Sequence, residues 1–368
     1  MSTPAQRLQH LAQIIGSRTS AESSLSPPSP FKIAVIGSGN WGTTIAKILA
    51  ENAAARPHLF KHFVDMWVFE EKVDGRNLTE IINTDHENVR YLPGALPDVA
   101  KVAEDADLLV FNLPHQFLPK VCKQLKGKVK PTCRAISCLK GLEVTPEGCK
   151  LLSTVITEEL GLACGALSGA NLAPEIARGK WSETTVAYTI PKDFRGAGYD
   201  IDLNVLKVAF HRPYFHVNVV QDVAGVSVAG ALKNIVALAV GFVEGLGWGD
   251  NAKAAIMRVG LLETIQFSQT FFPQSESGTF TKESAGVADL ITTCSGGRNV
   301  KVGRYMAETG DSAEVAEKKL LNGQSSRVHE LLTNVNKTGE FPLFEATYQI
   351  IYGTESIENL PKLLETCD

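Results

Sequence analysis

The stretch KIAVIGSGNWGTTIAKIL, Lys32 to Leu49, places an apolar, β-branched run, three glycines spaced G-x-G-x-x-G and a run with helical spacing one after another. Phe31 to Ile36 shows no polar alternation beyond Lys32, which predicts a parallel strand buried on both faces. Gly37 permits the tight turn, Gly39 lets the backbone approach a pyrophosphate, and Gly42 lets the following helix pack close to the strand. Unpaired amides at the helix start would then meet the phosphates. A glycine-rich turn alone can be an ordinary loop; a strand before it and a helix after it predict a doubly wound, Rossmann-like α/β domain.

Such a domain calls for an acid about twenty residues on, at the end of the second strand, to hold the adenosine ribose. HFVDMWVFEEK reads as that strand, ending at Phe69-Glu70-Glu71, with Glu51 to Lys61 as an insertion that accounts for the extra length. Phe69 offers a flat face, and Glu70 and Glu71 would repel the 2′-phosphate of NADP, so NAD is favoured; the alternative is a solvated strand end. Further strands run from Leu108 to Phe111 into Pro114-His115-Gln116-Phe117, through CRAISC into Lys140-Gly141, and through GALSG to Asn171 and Ala173. Ligands of open α/β sheets sit outside the carboxyl ends of the strands, so Phe117, Lys140, Asn171 and Ala173 are expected at one crevice. His115, beside a proline-led helix start, reads more readily as a structural hydrogen-bonder than as an acid or base.

At 368 residues, 44% hydrophobic and 21% charged, the chain can bury two cores. A net charge of -4 gives no general attraction to nucleic acid or anionic lipid, so neither is an expected partner. Seven cysteines without a C-x-x-C pair argue for a reducing compartment and against a zinc ribbon. Residues 1–30 hold a short amphipathic patch, RLQHLAQII, and the Ser/Pro-rich SRTSAESSLSPPSP, and read as a mobile extension. Arg7 and Arg18 before the first acid, Glu22, give it a faint transit-peptide character. Arg7-Leu8 with His10-Leu11 is similar to an amino-terminal peroxisomal signal but too closely spaced, and the terminal ETCD is not a peroxisomal tripeptide. Cytoplasm is the leading location. The Pro/Gly-punctuated YTIPKDFRGAGYD and one more strand, YFHVNVV, place a boundary near residue 220, between a nucleotide domain at 31–220 and a helical domain at 221–368.

From Val223 to Val243 the only ionisable side chain is Lys233. The run is long enough to span a bilayer, but its central lysine, its glycines and its charged flanks favour a buried helix in a globular domain. Burying an ammonium is costly unless it is paired or used, so Lys233 is either a site residue or a lysine whose head reaches water along apolar surface. Farther on, GVADLITTCSGGRNVKVGR sets Asp289 and Thr293 before Gly296-Gly297-Arg298-Asn299, where glycine amides beside an arginine can form a compact anion site. The plainer reading is a helix cap at Asp289 and a basic helix face after Arg298.

Together GSGNWG, MWVFEE, NTDHENVRYLPG, PHQF, LKG, GANLAPE, GALKN, GVADLITTC and GGRN, in that order over roughly residues 31 to 350, resemble the eukaryotic, soluble NAD-dependent glycerol-3-phosphate dehydrogenases. The resemblance implies interconversion of dihydroxyacetone phosphate and sn-glycerol 3-phosphate, an all-α C-terminal substrate domain and a homodimer. It implies cofactor contacts from Gly37, Ser38, Gly39, Asn40, Trp41 and Gly42, and from Phe69, Phe117, Lys140, Ala173, Arg298 and Gln324. By the same resemblance Lys233, Lys140 and Asp289 are catalytic, and Lys140, Asn234, Thr293, Arg298 and Asn299 bind substrate. Ser325 and Arg327 depart from the family pattern after Gln324. On this reading Lys233 protonates the carbonyl oxygen as hydride arrives, burial and Lys140 lower its pKa, Asp289 orients it, and no metal is required. A related β-hydroxyacid or ketol-acid dehydrogenase, or a non-catalytic NAD sensor, are the alternatives.

Overall fold

The computed structural model describes residues 27–68, 72–73, 75–85, 102–145, 148–320 and 328–365. Phe69, Glu70, Glu71, Gln324 and nearly all of the amino-terminal extension lie outside the described residues.

Seven strands form the main sheet: β1 (Phe31–Ile36), β2 (Phe60–Trp67), β3 (Leu108–Phe111), β4 (Arg134–Ser137), β5 (Cys164–Ser168), β6 (Ser182–Ala187) and β7 (Phe215–Val220), in the spatial order β7-β6-β5-β4-β3-β1-β2. The first five run parallel, and β1, β3 and β4 are almost wholly buried: β3 is an unbroken apolar run, β1 is broken only by Lys32, and in β4 the buried Arg134 is paired with Asp200. β6 pairs antiparallel with β5, and β7 follows it in parallel. β6 has no counterpart among the strands expected from the sequence: Ser182-Glu183-Thr184-Thr185 is polar. Its buried threonines are satisfied by hydrogen bonds instead: Thr184 Oγ1 donates to the Ser168 carbonyl at 3.0 Å and Thr185 Oγ1 to Glu283 Oε2 at 3.3 Å.

Helix α1 (Asn40–Ala55) leaves the glycine turn. The stretch Glu51 to Lys61, expected as an insertion, is not a loop: Glu51 to Ala55 continue α1, and β2 already begins at Phe60. The last turn of α1 stays helical because it packs. Ala53 is buried, and the buried Asn52 amide donates to the Ala209 carbonyl at 2.8 Å. A short helix, α2 (Ala173–Ala177), follows β5, and after β7 the described residues form helices and their connections, among them α3 (Val223–Gly245), α4 (Gly249–Phe271), α5 (Asp289–Cys294) and α6 (Arg298–Thr309), of which α3, α5 and α6 carry the site residues. The boundary placed near residue 220 falls between β7 and α3.

α3 is the axis of the helical part. It is long and apolar enough to cross a membrane by length and composition, yet most of it is buried in protein, with Val226, Val228, Val236, Val240 and Phe242 fully enclosed. Asp222 caps it: Oδ1 accepts from the Gly225 amide at 2.8 Å, while Oδ2 accepts from the Glu276 amide at 2.9 Å and Thr279 Oγ1 at 2.7 Å. α6 lies against α3 so closely that a Cβ on Gly303 would stand 2.2 Å from the Leu238 carbonyl oxygen. Gly303→Ala must therefore push the two helices apart. It is expected to cost about 1–3 kcal/mol, read as a lower urea midpoint at unchanged slope.

Candidate active site

Three chain segments meet at one carboxylate. Lys140 lies three residues past the end of β4, Lys233 on the third turn of α3, and Asp289 at the start of α5. Lys140 Nζ donates to Asp289 Oδ2 at 2.8 Å, and Lys233 Nζ donates to Asp289 Oδ1. Asp289 and Lys233 are buried, whereas about a third of the Lys140 side chain remains exposed (33%). Of the two readings of Lys233, the snorkelling one does not hold, because the ammonium ends on the buried carboxylate.

The charges in this cluster oppose one another. Burial and the neighbouring Lys140 ammonium lower the Lys233 pKa from 10.5 to about 7, although Asp289 pulls it upward. For Lys140 burial acts downward, but the Asp289 carboxylate outweighs it and the pKa is raised. Asp289 is lowered: burial favours its neutral form, and the two ammonium groups overcome that. The stable arrangement is an ionised Asp289, a charged Lys140 and a Lys233 poised near neutrality.

Asp289 is held in place from the sheet side. The turn just before it, Ser284–Ala288, is a π-helical turn pinned across the ends of β5 and β6. Ser284 Oγ donates to the Glu183 carbonyl at 3.0 Å and accepts from the Ala170 amide at 3.3 Å, and Glu283 Oε2 accepts from Asn218 Nδ2 at 2.7 Å. Ser168, the last residue of β5, places its Oγ 3.3 Å from Asp289 Oδ2 as donor. Sequence reading had none of these polar residues as site residues, since each looks like an ordinary strand or loop position. Only their partners, far along the chain, give them a role.

The glycine turn has the shape a dinucleotide needs. Gly37 has φ +112°, and a Cβ there would stand 2.8 Å from the Asn112 carbonyl oxygen; a Cβ on Gly42 would stand 2.2 Å from the Gly37 carbonyl. Both positions are closed to any other residue. Gly39 is the N-cap of α1, no side chain caps that helix, and no acid occupies its first turn, so its free amides are open to a pyrophosphate. The residues present thus fit NAD. The start of α6 has the same features: Gly297 is its N-cap without a side-chain cap, no acid lies in the first turn, and exposed Arg298 and half-buried Asn299 follow. Thr293 and Asn234 are half-buried, Asn234 next to Lys233 on α3.

Other expected contacts are placed less simply. Phe117, 42% exposed, and His115 lie on a 3₁₀ turn after β3, and Ala173 opens α2. Trp41 is half-buried, its ring tilted against Phe215 at 6.1 Å. Asn171 reaches the expected end of the sheet, but its amide is turned back to β6: Nδ2 donates to the Glu183 carbonyl at 2.8 Å, and Oδ1 lies 2.9 Å from Thr184 Oγ1, whose single proton it shares with the Ser168 carbonyl. It holds the β5 to β6 junction together. Phe69, Glu70, Glu71 and Gln324 lie outside the described residues.

Residues 32–193 match the family described as NAD-dependent glycerol-3-phosphate dehydrogenase N-terminus, and residues 222–362 match its C-terminus. The chain belongs to the NAD-dependent glycerol-3-phosphate dehydrogenases. A glycerol-3-phosphate dehydrogenase [NAD(+)] of Candida tropicalis is 76% identical over 358 residues, covering 93% of this chain and 92% of that protein. One of Saccharomyces cerevisiae, named mitochondrial, is 61% identical over 92% of this chain and 81% of its own length. The solved glycerol-3-phosphate dehydrogenase of Saccharomyces cerevisiae superposes with a TM-score of 0.86 at 61% identity, covering 92% of this chain and all (100%) of that one. As a member of this family the chain is an NAD-dependent oxidoreductase with a Rossmann-like cofactor domain followed by a helical substrate domain.

In this glycerol-3-phosphate dehydrogenase, Asp289→Asn would leave two ammonium groups facing each other without the charge that joins them. The loss is expected to be about 3 kcal/mol, the low end for breaking a buried ion pair because Lys233 can shed its proton. Thermal unfolding of the variant should show the loss, together with at least a hundredfold fall in turnover.

Proposed function

We propose that the chain reduces dihydroxyacetone phosphate to sn-glycerol 3-phosphate, and catalyses the reverse oxidation, with Lys233 as the group that gives and takes the proton. The observation that carries this reading is the Lys140, Asp289 and Lys233 cluster at the carboxyl end of the sheet, in which the buried Lys233 ammonium is hydrogen-bonded to the buried Asp289, with burial and Lys140 lowering its pKa. Bound NADH supplies the hydride to the ketone carbon. As charge builds on the carbonyl oxygen, Lys233 Nζ–H passes its proton to it and is left neutral, while Lys140 stays charged and keeps Asp289 paired. Arg298, Asn299 and the amides at the start of α6 grip the substrate phosphate, with Asn234 and Thr293 beside them, so that binding energy from the non-reacting end aligns the reacting carbon. Gly37 to Gly42, with Phe117 and Ala173, hold the nucleotide, while Phe69 and Gln324 complete its contacts and Glu70 and Glu71 disfavour NADP.

The same reading takes residues 1–30 as an extension, 31–220 as the cofactor domain and 221–368 as the catalytic domain. It places the protein in the cytoplasm, with the extension able to direct part of it to an organelle. It also takes the enzyme as a homodimer, for which exposed apolar side chains such as Leu262 (52%) and Ile291 (47%) offer a contact surface. Sedimentation of the purified protein at twice the chain mass would support the dimer, and a monomer would exclude it.

Because the donor must be protonated for reduction, kcat for reduction should fall as pH rises through about 7, and kcat for oxidation should rise over the same interval. Lys233→Ala should lower kcat at least about a hundredfold with NADH binding, followed by fluorescence, retained. Near wild-type turnover in the folded variant would remove Lys233 from the chemistry.

Arg298→Ala tests the substrate. KM and kcat for dihydroxyacetone phosphate should both suffer, while activity on unphosphorylated dihydroxyacetone changes little. Added phosphite should activate the wild type toward that truncated substrate and leave the variant unaffected. Equal losses on both substrates, with phosphite activation intact, would place the phosphate elsewhere; activity only on β-keto acids would change the substrate class.

A further inference from the structure

Two features beside the cluster have no part in the mechanism above. Ser168 is buried at the end of β5, and its hydroxyl has Asp289 Oδ2, at 3.3 Å, as its partner among the described residues. Its own carbonyl is fixed by Thr184 Oγ1 at 3.0 Å, so the strand end cannot swing away. On α3, one turn before Lys233 and on the same face, stands Gly230. A Cβ on Gly230 would stand 2.8 Å from Ser168 Oγ and 3.6 Å from Lys140 Cγ. α3 therefore carries no side chain at the one position where it would displace the serine hydroxyl.

We propose that Ser168 is a positioning residue of the active site: it fixes the Asp289 carboxylate with one oxygen turned to Lys140 and the other reserved for Lys233, and Gly230 is the gap that admits it. A carboxylate between two lysines can rotate and exchange them, since both oxygens are equivalent acceptors. A hydroxyl donor on Oδ2 breaks that equivalence. It also takes up part of the negative charge, which weakens the hold of Asp289 on the Lys233 proton.

The direction of the effect follows from the groups around the pair. Lys233 is faced by Asp289 from α5 and Lys140 from the loop after β4; Cys294 on α5 lies toward Lys233 and the Glu244–Lys253 ion pair between α3 and α4, and Cys138 lies toward Lys140. None of these can replace the lost donor on Oδ2. Without the hydroxyl, Asp289 draws more strongly on Lys233, and the pH at which Lys233 loses its proton moves up.

This inference rests on Lys233 being the proton donor, and the test separates the two. The pH dependence of kcat for dihydroxyacetone phosphate reduction is measured in the full-length wild type, Ser168→Ala, Ser168→Cys, Gly230→Ala and the Ser168→Ala/Gly230→Ala double variant, with folding checked by circular dichroism and NADH binding by fluorescence. In Ser168→Ala the limb near pH 7 should move up by about half a unit, with kcat at its plateau down about three- to tenfold. Ser168→Cys keeps the shape of the side chain with a slightly larger atom that is only a weak donor, and should behave in the same way. Gly230→Ala, which drives the serine hydroxyl aside, should give the same shift, and should add little to Ser168→Ala because the oxygen it displaces is already gone.

A limb present in the wild type but unmoved in both Ser168 variants would overturn the positioning role. So would wild-type behaviour of Ser168→Cys, which would make the position one of packing alone. Absence of the limb from the wild type would overturn the proton-donor reading, and this inference with it.

Discussion

The Asp289 carboxylate is the point on which the two halves of the molecule agree. It accepts Lys140 from the end of the parallel sheet on one oxygen and Lys233 from the central helix on the other. Removing either lysine would leave a buried acid with half its compensation, and removing the acid would leave the buried Lys233 facing the part-exposed Lys140 with no charge between them. The cluster therefore exists only when sheet and helices are docked. A site divided in this way makes the correct docking of the domains a condition for chemistry, and so ties the fold of residues near 140 to that of residues near 290.

The docking is itself polar and specific. Glu283 and Ser284 bridge to Asn218, Glu183 and Ala170 and stop the π-helical turn directly before Asp289, so the carboxylate is aimed by backbone geometry as well as by its partners. On the far side α3 carries Lys233, and through its close contact at Gly303 it fixes α6, whose start bears Arg298 and Asn299. Lys233 and the uncapped start of α6, the groups proposed to donate the proton and bind the phosphate, are thus set on two helices whose separation a single methyl group would change. For a reaction in which alignment of one carbon matters, a ruler made of backbone contact is stiffer than one made of long side chains.

Much of this was legible in the sequence for a physical reason. The glycine turn is a local device: strand, turn and helix lie within one short stretch, and no other residue fits Gly37 or Gly42. Lys233 announced itself because an ammonium in an apolar run must be paired. What was not legible depends on contacts between distant segments. β6 hides its burial behind Thr184 and Thr185, whose partners lie up to a hundred residues away. The turn of α1 at Glu51 to Ala55 is held by distant partners, Asn52 by the Ala209 carbonyl and Glu51 by Arg212 and Tyr214. Asn171 reads as a crevice residue until Thr184 and Glu183 claim its amide. Ser168 carries no pattern at all, since a serine at a strand end is commonplace and only the fold puts Asp289 beside it.

A buried lysine near pKa 7 is also a statement about what the fold gives up. The unfolded side chain binds its proton up to about pH 10.4, the folded one only to about 7. Between those values the unfolded state holds more protons, so stability from this group rises with pH, and its full penalty is present below 7. Asp289 works in the opposite sense: its lowered pKa stabilises the fold above the ordinary carboxylate range, and that contribution is lost as the solution becomes acid. At neutral pH the two act together, the carboxylate offsetting part of what the lysine costs. Replacing the cluster with apolar side chains would remove that penalty, so stability does not explain three ionisable groups at this junction. The proton transfer proposed for Lys233 does, and it gives a reason for Ser168, Gly230, Ser284 and Glu283 to hold one carboxylate in one orientation.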